Sequence, residues 1–288
     1  MPIKSTDGGD GLYGRNIERP GINSPLSIDK KPFKAGCIKD PPDERDYLVS
    51  SQLSNKYKDK NIVDYTSEMS PIKDQGSKGS CVGFAVAAVL EWQQQKEYLN
   101  EDSTHKRSEE YYDLSEQWIY HKTKEIDPWG PDTEGTSIRF AMKTIKNKGV
   151  PKEEGWPYSD SKLGEPEFWA YSTAKWAQSK RYYRIWSVEE IVQTLREVGP
   201  CVLGIDIAYE FYFPDSEGVV SYPVNPDQIY GGHAVCAIGF DEERELIKIK
   251  NSWGTGWGNE GFGYLPYSYL RDLMMDAWVT IDENIKSL

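Results

Sequence analysis

A cysteine at the start of an apolar run is the feature that most constrains this chain. The run QGSKGSCVGFA (residues 75–85) places Cys81 directly after a glycine and a serine. The residues up to about 90 are rich in Ala, Val and Leu, which predicts a buried helix that begins at or near Cys81. A thiolate at a helix N-terminus is stabilised by the dipole and free N–H groups, by on the order of 0.3–2 kcal/mol. This position favours a nucleophilic thiol.

Of the three histidines in the chain, one stands in a setting that suits a partner base. His105 lies in a charged stretch typical of an exposed loop, and His121 has no supporting motif. His233 follows two glycines in the run GGHAV (231–235) and opens an apolar strand. Its ring can therefore face a cleft, so we expect His233 to activate the thiol.

An amide and an indole complete the predicted machinery. An imidazole needs a group on its far nitrogen to fix its orientation and tautomer. Asn251 ends the alternating strand LIKIK (246–250), and Trp253 follows it closely enough to shield an Asn–His hydrogen bond from water. Acyl transfer also needs a donor for the oxyanion, and Gln75 supplies an amide beside the N–H of Cys81.

In this order and spacing, these runs resemble the active-site motifs of papain-like cysteine proteases. Three further segments match the same family: VDY (63–65), LSEQ (114–117) and WPY (156–158). The resemblance implies an α+β, two-lobed papain-like fold, with a helical left lobe, a β-barrel-like right lobe and the cleft between them. It implies a thiol endopeptidase without metal or organic cofactor, of a type similar to bacterial members of the family.

The resemblance also assigns roles to the four polar residues. Cys81 attacks the scissile carbonyl and forms a thioester acyl-enzyme. His233 takes the thiol proton and passes it to the leaving amine, while Asn251 orients the ring. Gln75 and the Cys81 N–H bind the oxyanion.

Several positions are expected to line the substrate cleft. Gly135 allows a substrate strand to approach the non-primed side, which holds the residues before the cut. Glu134 beside it adds a charge that would favour basic residues, or is only a solvated loop glutamate. Gly232 brings no specificity charge, Trp253 roofs the site, and the stretch around Ile207 (203–208) is expected to wall the main, apolar side-chain pocket.

The chain departs from the family at one disulfide. Secreted relatives pair a cysteine three residues before the nucleophile with one just after the LSEQ segment. Here the two positions are Lys78 and Lys122, so both halves of the bridge are absent together. This pattern fits a reducing compartment or a bacterial type of enzyme.

The other cysteines predict no catalytic role. Cys201 and Cys236 lie in apolar strands and are expected to be core thiols, because no paired metal-ligand spacing is present. Cys37 stands alone near the N-terminus. It is either an inert thiol or one that pairs with Cys81 and silences it.

We expect three regions along the chain. Residues 1–61 do not resemble the catalytic domain and are expected to be a prosegment or a latch over the cleft. Residues 62–165 form the helical lobe with the nucleophile, including helices near 108–124 and 136–148. Residues 166–288 form the β-rich lobe with His233 and Asn251.

Composition excludes some partners. The net charge is −12, which makes nucleic acid an unsuitable partner, and no apolar stretch reaches the length of a membrane span. Residues 1–30 lack a signal-peptide pattern, so we expect a cytoplasmic or unconventionally exported protein, unless a leader has been removed. We expect a monomer that acts on peptides or proteins.

Rival functions remain at this stage. Endopeptidase is preferred over exopeptidase because no loop with paired histidines is present to close the cleft. An amidase or transpeptidase would use the same four residues. A catalytically silent peptide-binding protein on the same fold is the rival from another class.

Overall fold

A long apolar helix, α1 (Cys81–Glu101), organises the first half of the structure. The computed structural model describes residues 34–54, 60–101 and 112–281, without the side chains of 97–101. Residues 81–93 of α1 are buried on every side, as expected for a helix without a polar face. The predicted helix start at Cys81 is confirmed.

The other helices of the described residues are α2 (Glu116–Lys124), α3 (Ile138–Asn147), α4 (Ala170–Thr173), α5 (Val188–Glu197) and α6 (Tyr267–Leu273). The prediction that α2 begins near 108 does not hold over 112–115, because Ser115 caps the helix: its Oγ accepts the N–H of Trp118 at 3.0 Å. Positions 108–111 lie outside the described residues. The helix predicted near 136–148 is confirmed as α3.

The strands are β1 (Ile62–Asp64), β2 (Arg181–Ile185), β3 (Cys201–Asp206), β4 (Gly232–Asp241), β5 (Leu246–Lys250), β6 (Phe262–Pro266) and β7 (Met274–Ile281). They form an antiparallel sheet in the order β2-β7-β3-β4-β5-β6, and β1 pairs with β4. The predicted α+β class, with a helical and a β-rich part, is confirmed. The sheet, expected to be barrel-like, stays open within the described residues, with β2 and β6 at its edges.

Strand β4 contributes side chains to two hydrophobic cores, one on each of its faces. Because side chains alternate along a strand, Val235 and Ala237 pack in the core of the β-rich part. Ala234 and Cys236 point the other way and pack in the core that contains α1. The start of β4 therefore lies beside the start of α1, which places His233 near Cys81.

Cys201 and Cys236 are buried free thiols in paired strands, as predicted. Burial raises the pKa of both, that of Cys236 to about 12. Neither thiol is therefore poised to react.

Some predictions lie beyond what the structure tests. Residues 1–33 and His105 lie outside the described residues. The boundaries at 61/62 and 165/166 stay predictions. No helix in the described ranges combines the length and the apolar character of a membrane span.

The glycine in the turn after α3 leads to a testable prediction about stability. Gly149 has φ +70° and a Cβ there would collide with the Ala174 carbonyl, whereas Gly130 has φ +79° in open space. Both Gly→Ala changes add the backbone strain of positive φ, about 1–2 kcal/mol. Gly149→Ala adds crowding of about 1–3 kcal/mol more. Urea unfolding should show the larger loss for Gly149→Ala, and equal losses would contradict this account.

Candidate active site

The Cys81 thiol lies at the first residue of α1 and is fully buried. Burial raises the pKa of the thiol to about 11, although the backbone N–H groups of Ala234 and Gly36 act in the opposite direction. The helix start was expected to favour the thiolate. In this covered site, removal of water outweighs that effect, because a thiolate loses more solvation than a thiol.

His233 and Asn251 are brought together by the pairing of β4 with β5. The ring Nε2 lies 2.8 Å from Asn251 Oδ1, which also accepts the N–H of Ser252 at 2.8 Å. An oxygen that accepts here requires a proton on Nε2, so the neutral ring keeps its lone pair on Nδ1. Nδ1 is buried without a hydrogen-bond partner among the described residues. Burial lowers the pKa of His233 to about 4, so the ring is neutral at neutral pH.

An aromatic cluster covers this pair. The Trp253 ring lies 4.6 Å from the His233 ring, centroid to centroid. Phe211 packs edge-on against both rings, and Tyr212 stacks on Trp253 at 5.3 Å. The roof predicted from Trp253 is in place. Sequence reasoning missed the other two rings, although the aromatic run YEFY (209–212) was a usable signal.

Gln75 is held with its amide nitrogen toward the cleft. Ser252 Oγ donates to Gln75 Oε1 at 2.7 Å, which fixes which end of the amide faces outward. Tyr158 donates its hydroxyl proton to the Gln75 carbonyl at 2.7 Å, and its oxygen lies 2.7 Å from Ser80 Oγ. Tyr158 therefore holds the loop that carries Gln75 and Cys81. The WPY motif contains it, but its role follows only from these contacts.

The chain's own N-terminal segment lies in the cleft. The N–H of Cys37 donates to the Gly232 carbonyl at 2.8 Å, and the N–H of Thr136 donates to the Gly36 carbonyl at 2.9 Å. A Cβ on Gly232 would collide with the Cys37 carbonyl, and one on Gly135 would lie 2.5 Å from the Gly36 oxygen. The two predicted cleft glycines thus permit a peptide strand to lie directly against them.

The same segment reaches the predicted oxyanion donor. Gln75 Nε2 donates to the Lys34 carbonyl at 2.9 Å. Lys34 Nζ forms an ion pair with Glu134 at 2.8 Å. A peptide carbonyl therefore occupies the position expected for the carbonyl of a substrate.

The Cys37 side chain fills a buried, apolar position and forms no disulfide. A Cβ on Gly204 would lie 3.1 Å from its sulfur and 3.0 Å from the Ile138 side chain. Gly204 belongs to the stretch predicted to wall the main pocket. Ile207, which belongs to the same predicted stretch, is fully buried in the core of the β-rich part. Its N–H donates to the Gly231 carbonyl at 2.9 Å.

Beyond the cleft, an ion-pair clasp holds the segment. Arg139 binds both carboxylate oxygens of Asp46, and Arg184 Nη1 lies 3.3 Å from Asp46. The N–H of Asp40 donates to Asp276 at 2.7 Å, and Arg184 Nη2 pairs with Asp276 at 2.5 Å. Burial and the Asp40 charge raise the pKa of Asp276 to about 7. The clasp buries charges only where each has a partner.

Comparison with known proteins identifies the family. The model of the papain family cysteine proteases matches residues 58–272. The chain belongs to the papain family of cysteine proteases.

Individual relatives extend this match. An uncharacterized peptidase C1-like protein of Acanthamoeba polyphaga mimivirus is 32% identical over 275 residues, 85% of each chain. Cathepsin K of Gallus gallus is 31% identical over 204 residues, which is 67% of this chain and 54% of that protein. Digestive cysteine proteinase 2 of Homarus americanus is 30% identical over 198 residues, 67% of this chain and 57% of that protein. The match thus spans little more than half the length of these two animal proteases.

Solved structures show the same fold. Xylellain, a cysteine protease from Xylella fastidiosa, superposes with a TM-score of 0.71 at 25% identity, over 89% of this chain and 100% of that one. Digestive procathepsin L 3 of Tenebrio molitor larval midgut gives 0.63 at 23% identity, over 80% and 72%. The latter likeness concerns the fold alone.

This member of the papain family fills the two positions of the family's disulfide with separate polar contacts. Lys78 Nζ donates to Gln117 Oε1 at 3.1 Å and to the Ser159 carbonyl at 2.5 Å. Lys122 pairs with Glu125 at 2.6 Å and lies over the Trp118 ring. The loop before Cys81 is therefore tied down without a covalent bridge.

Behind the site lies a buried cluster that sequence reasoning missed. Within the described ranges, the one group of carboxylates close enough to share a metal ion is Glu91, Asp113 and Glu116. Lys73 Nζ already sits among them, at 2.9, 2.6 and 2.5 Å. Burial alone would lower the pKa of Lys73, but Glu91 and Glu116 raise it well above its ordinary value. The ammonium supplies the positive charge that this cluster needs.

The covered site predicts an unusual histidine titration. A Cβ on Gly36 would collide with the Gly79 carbonyl, so Gly36→Ala should displace the segment and let water reach the ring. His233 should titrate near pH 4 in the wild type and move toward 6.5 in Gly36→Ala, as measured by NMR of the histidine ring protons. Because the folded pKa lies below the ordinary value, the neutral ring stabilises the covered form above about pH 6.5, and this contribution is lost as the pH falls toward 4.

His121 is the internal control for this titration. Burial also lowers its pKa to about 4, but it stacks on Trp156, within the helical part. Its titration should stay the same in Gly36→Ala. A His233 that titrates near 6.5 in the wild type would contradict the covered site.

Proposed function

We propose that this papain-family protein is a cysteine endopeptidase that is held inactive by its own N-terminal segment. The observation that carries the proposal is the peptide strand in the cleft. Its Lys34 carbonyl accepts from Gln75 Nε2, beside the buried thiol of Cys81. A cleft that takes a strand of this chain, with a carbonyl on an amide donor, has the shape required for a peptide substrate.

The mechanism assigns one task to each side chain. Cys81 gives its proton to His233 Nδ1 and its sulfur attacks the substrate carbonyl, with Asn251 holding the ring through Nε2. Gln75 and the Cys81 N–H stabilise the oxyanion. The C–N bond breaks as His233 returns the proton to the amine, which leaves a thioester. Water, deprotonated by the same ring, then releases the carboxylic acid and the thiol.

The direction of the segment explains why it inhibits instead of being cut. Cys37 pairs with Thr136 in parallel, so the residues after Lys34 run along Gly135. By the family resemblance, that side of the cleft takes the residues before the cut. The segment therefore runs opposite to a productive substrate. The backbone N–H of Gly36 also acts on the Cys81 thiol, because it lowers the thiol pKa against the larger effect of burial.

The path of the segment favours an endopeptidase. From the cleft the chain continues past Asp46, and the N–H of Arg184 donates to the Tyr47 carbonyl at 2.7 Å. Within the described residues, the segment thus continues from the cleft past this end of it. Hydrolysis of internal bonds needs such a passage on the non-primed side.

Removing the inhibitory contact should release activity in the full-length chain. Gly36→Ala should raise hydrolysis of peptides blocked at both ends by about tenfold or more, because the added Cβ cannot fit against Gly79. The same variant should speed labelling of Cys81 by an epoxide inhibitor of thiol proteases. Hydrolysis is measured fluorimetrically, and labelling is measured by mass spectrometry of the intact protein.

Gly256→Ala is the matched control, since a Cβ there meets no neighbour within 4 Å. It should behave as the wild type. Failure of Gly36→Ala to exceed the wild type would refute self-inhibition. Absence of labelling in every variant would favour a silent peptide-binding protein, and products joined to an added amine would favour a transpeptidase.

The oxyanion donor can be tested separately in the Gly36→Ala background. Gln75→Ala should lower kcat by about 10²–10³, because the tetrahedral intermediate loses one hydrogen bond. Alkylation of Cys81 by iodoacetamide forms no oxyanion, so its rate should stay within about twofold. Loss of both rates together would assign Gln75 a purely structural role.

A further inference from the structure

Glu134 holds a carboxylate at the wall of the cleft, next to the loop that carries the thiol. Its Oε1 accepts the N–H of Gly79 at 3.0 Å, and its side chain is half-exposed. Gly79 lies two residues before Cys81. This backbone contact positions the carboxylate independently of any lysine that binds it.

Lys34 shows what this carboxylate accepts. Its carbonyl lies on Gln75 Nε2 at 2.9 Å, and its ammonium lies 2.8 and 3.1 Å from the two oxygens of Glu134. Lys34 thus supplies both the carbonyl that accepts from Gln75 and the ammonium that pairs with Glu134. In a productive complex, the residue with the corresponding carbonyl is the one directly before the cut.

We infer that Glu134 selects lysine or arginine as the substrate residue whose carbonyl is attacked. This inference rests on the proposed peptidase activity and adds the substrate class to it. The ammonium or guanidinium of the substrate replaces that of Lys34 on the carboxylate.

The reversed direction of the segment does not alter this conclusion. The α-carbon of a residue is one bond from its carbonyl carbon, whichever way the chain runs. A lysine side chain extends about 6 Å from its α-carbon, at standard bond lengths. A substrate carbonyl at Gln75 therefore keeps a basic side chain within reach of Glu134.

The surroundings leave the negative charge available to a substrate. Lys78 directly precedes Gly79, but its Nζ donates to Gln117 and to the Ser159 carbonyl. Asp160 adds a second carboxylate, which accepts the N–H of Ser77 at 3.3 Å on the same loop. The charge of Lys78 acts on Asp160, so the ion pair of Glu134 within the described residues is the one with Lys34.

The test compares substrates that differ at one residue. Four peptides, blocked at both ends, carry Lys, Arg, norleucine or Glu before the scissile bond and are assayed with full-length Gly36→Ala. We expect kcat/KM for Lys and Arg to exceed that for norleucine by about five- to tenfold. Adding Glu134→Gln, which keeps the oxygen that binds Gly79, should remove this preference and bring kcat/KM for Lys and Arg down to that for norleucine in the same variant. Glu134→Lys should make the Glu peptide the preferred one.

Asp132→Asn is the matched control. Asp132 is exposed on the same loop and makes no ion pair within the described part of the chain, so the change should preserve the preference. Equal cleavage of Lys and norleucine peptides, or a uniform loss in Glu134→Gln, would overturn the inference while the peptidase proposal stands. Hydrolysis of none of the four peptides would instead refute the peptidase proposal, and the inference with it.

Discussion

The packing of α1 against β4 is the contact on which the rest of the site depends. It places the first residue of an apolar helix, Cys81, beside the first residues of a buried strand, which carry His233. The helix can lie this close because residues 81–90 carry no charge and most of them are small. Pairing of β4 with β5 then adds Asn251, and Ser252 orients Gln75 from the same loop. These contacts thus bring together groups from three separate runs of the sequence, residues 75–81, 231–235 and 250–253.

In the proposed self-inhibition, the N-terminal segment acts by excluding water from the site. With the segment in place, burial raises the pKa of the Cys81 thiol to about 11 and lowers that of the His233 ring to about 4. Both groups are then neutral at pH 7, so the attacking thiolate is scarce. The same strand also occupies the oxyanion donor through Lys34. In this proposal, coverage and altered ionisation act together, and we expect both to end when the segment leaves.

Sequence patterns predicted the local structure around the candidate site well where the information is local. The helix start at Cys81, the strand before Asn251 and the glycines at 135 and 232 all follow from residue type and short-range spacing. The later start of α2 depended on a serine cap. Within the stretch predicted to wall the pocket, Ile207 packs in the core of the β-rich part, whereas Gly204 lies against the Cys37 side chain, a difference that local alternation did not predict. Tyr158 and Lys73 act through contacts with residues far away in the chain.

The sequence by itself determined which groups are candidates for the reaction and in which order they occur, because residue type, helix start and flanking residues are properties of short runs. Only the tertiary structure decided what those groups face. That residues 34–38 run backwards through the cleft, that Lys34 meets Glu134, and that Arg139 and Arg184 hold Asp46 are long-range contacts. Such contacts, and the desolvation they cause, depend on packing between distant segments, which no local pattern encodes.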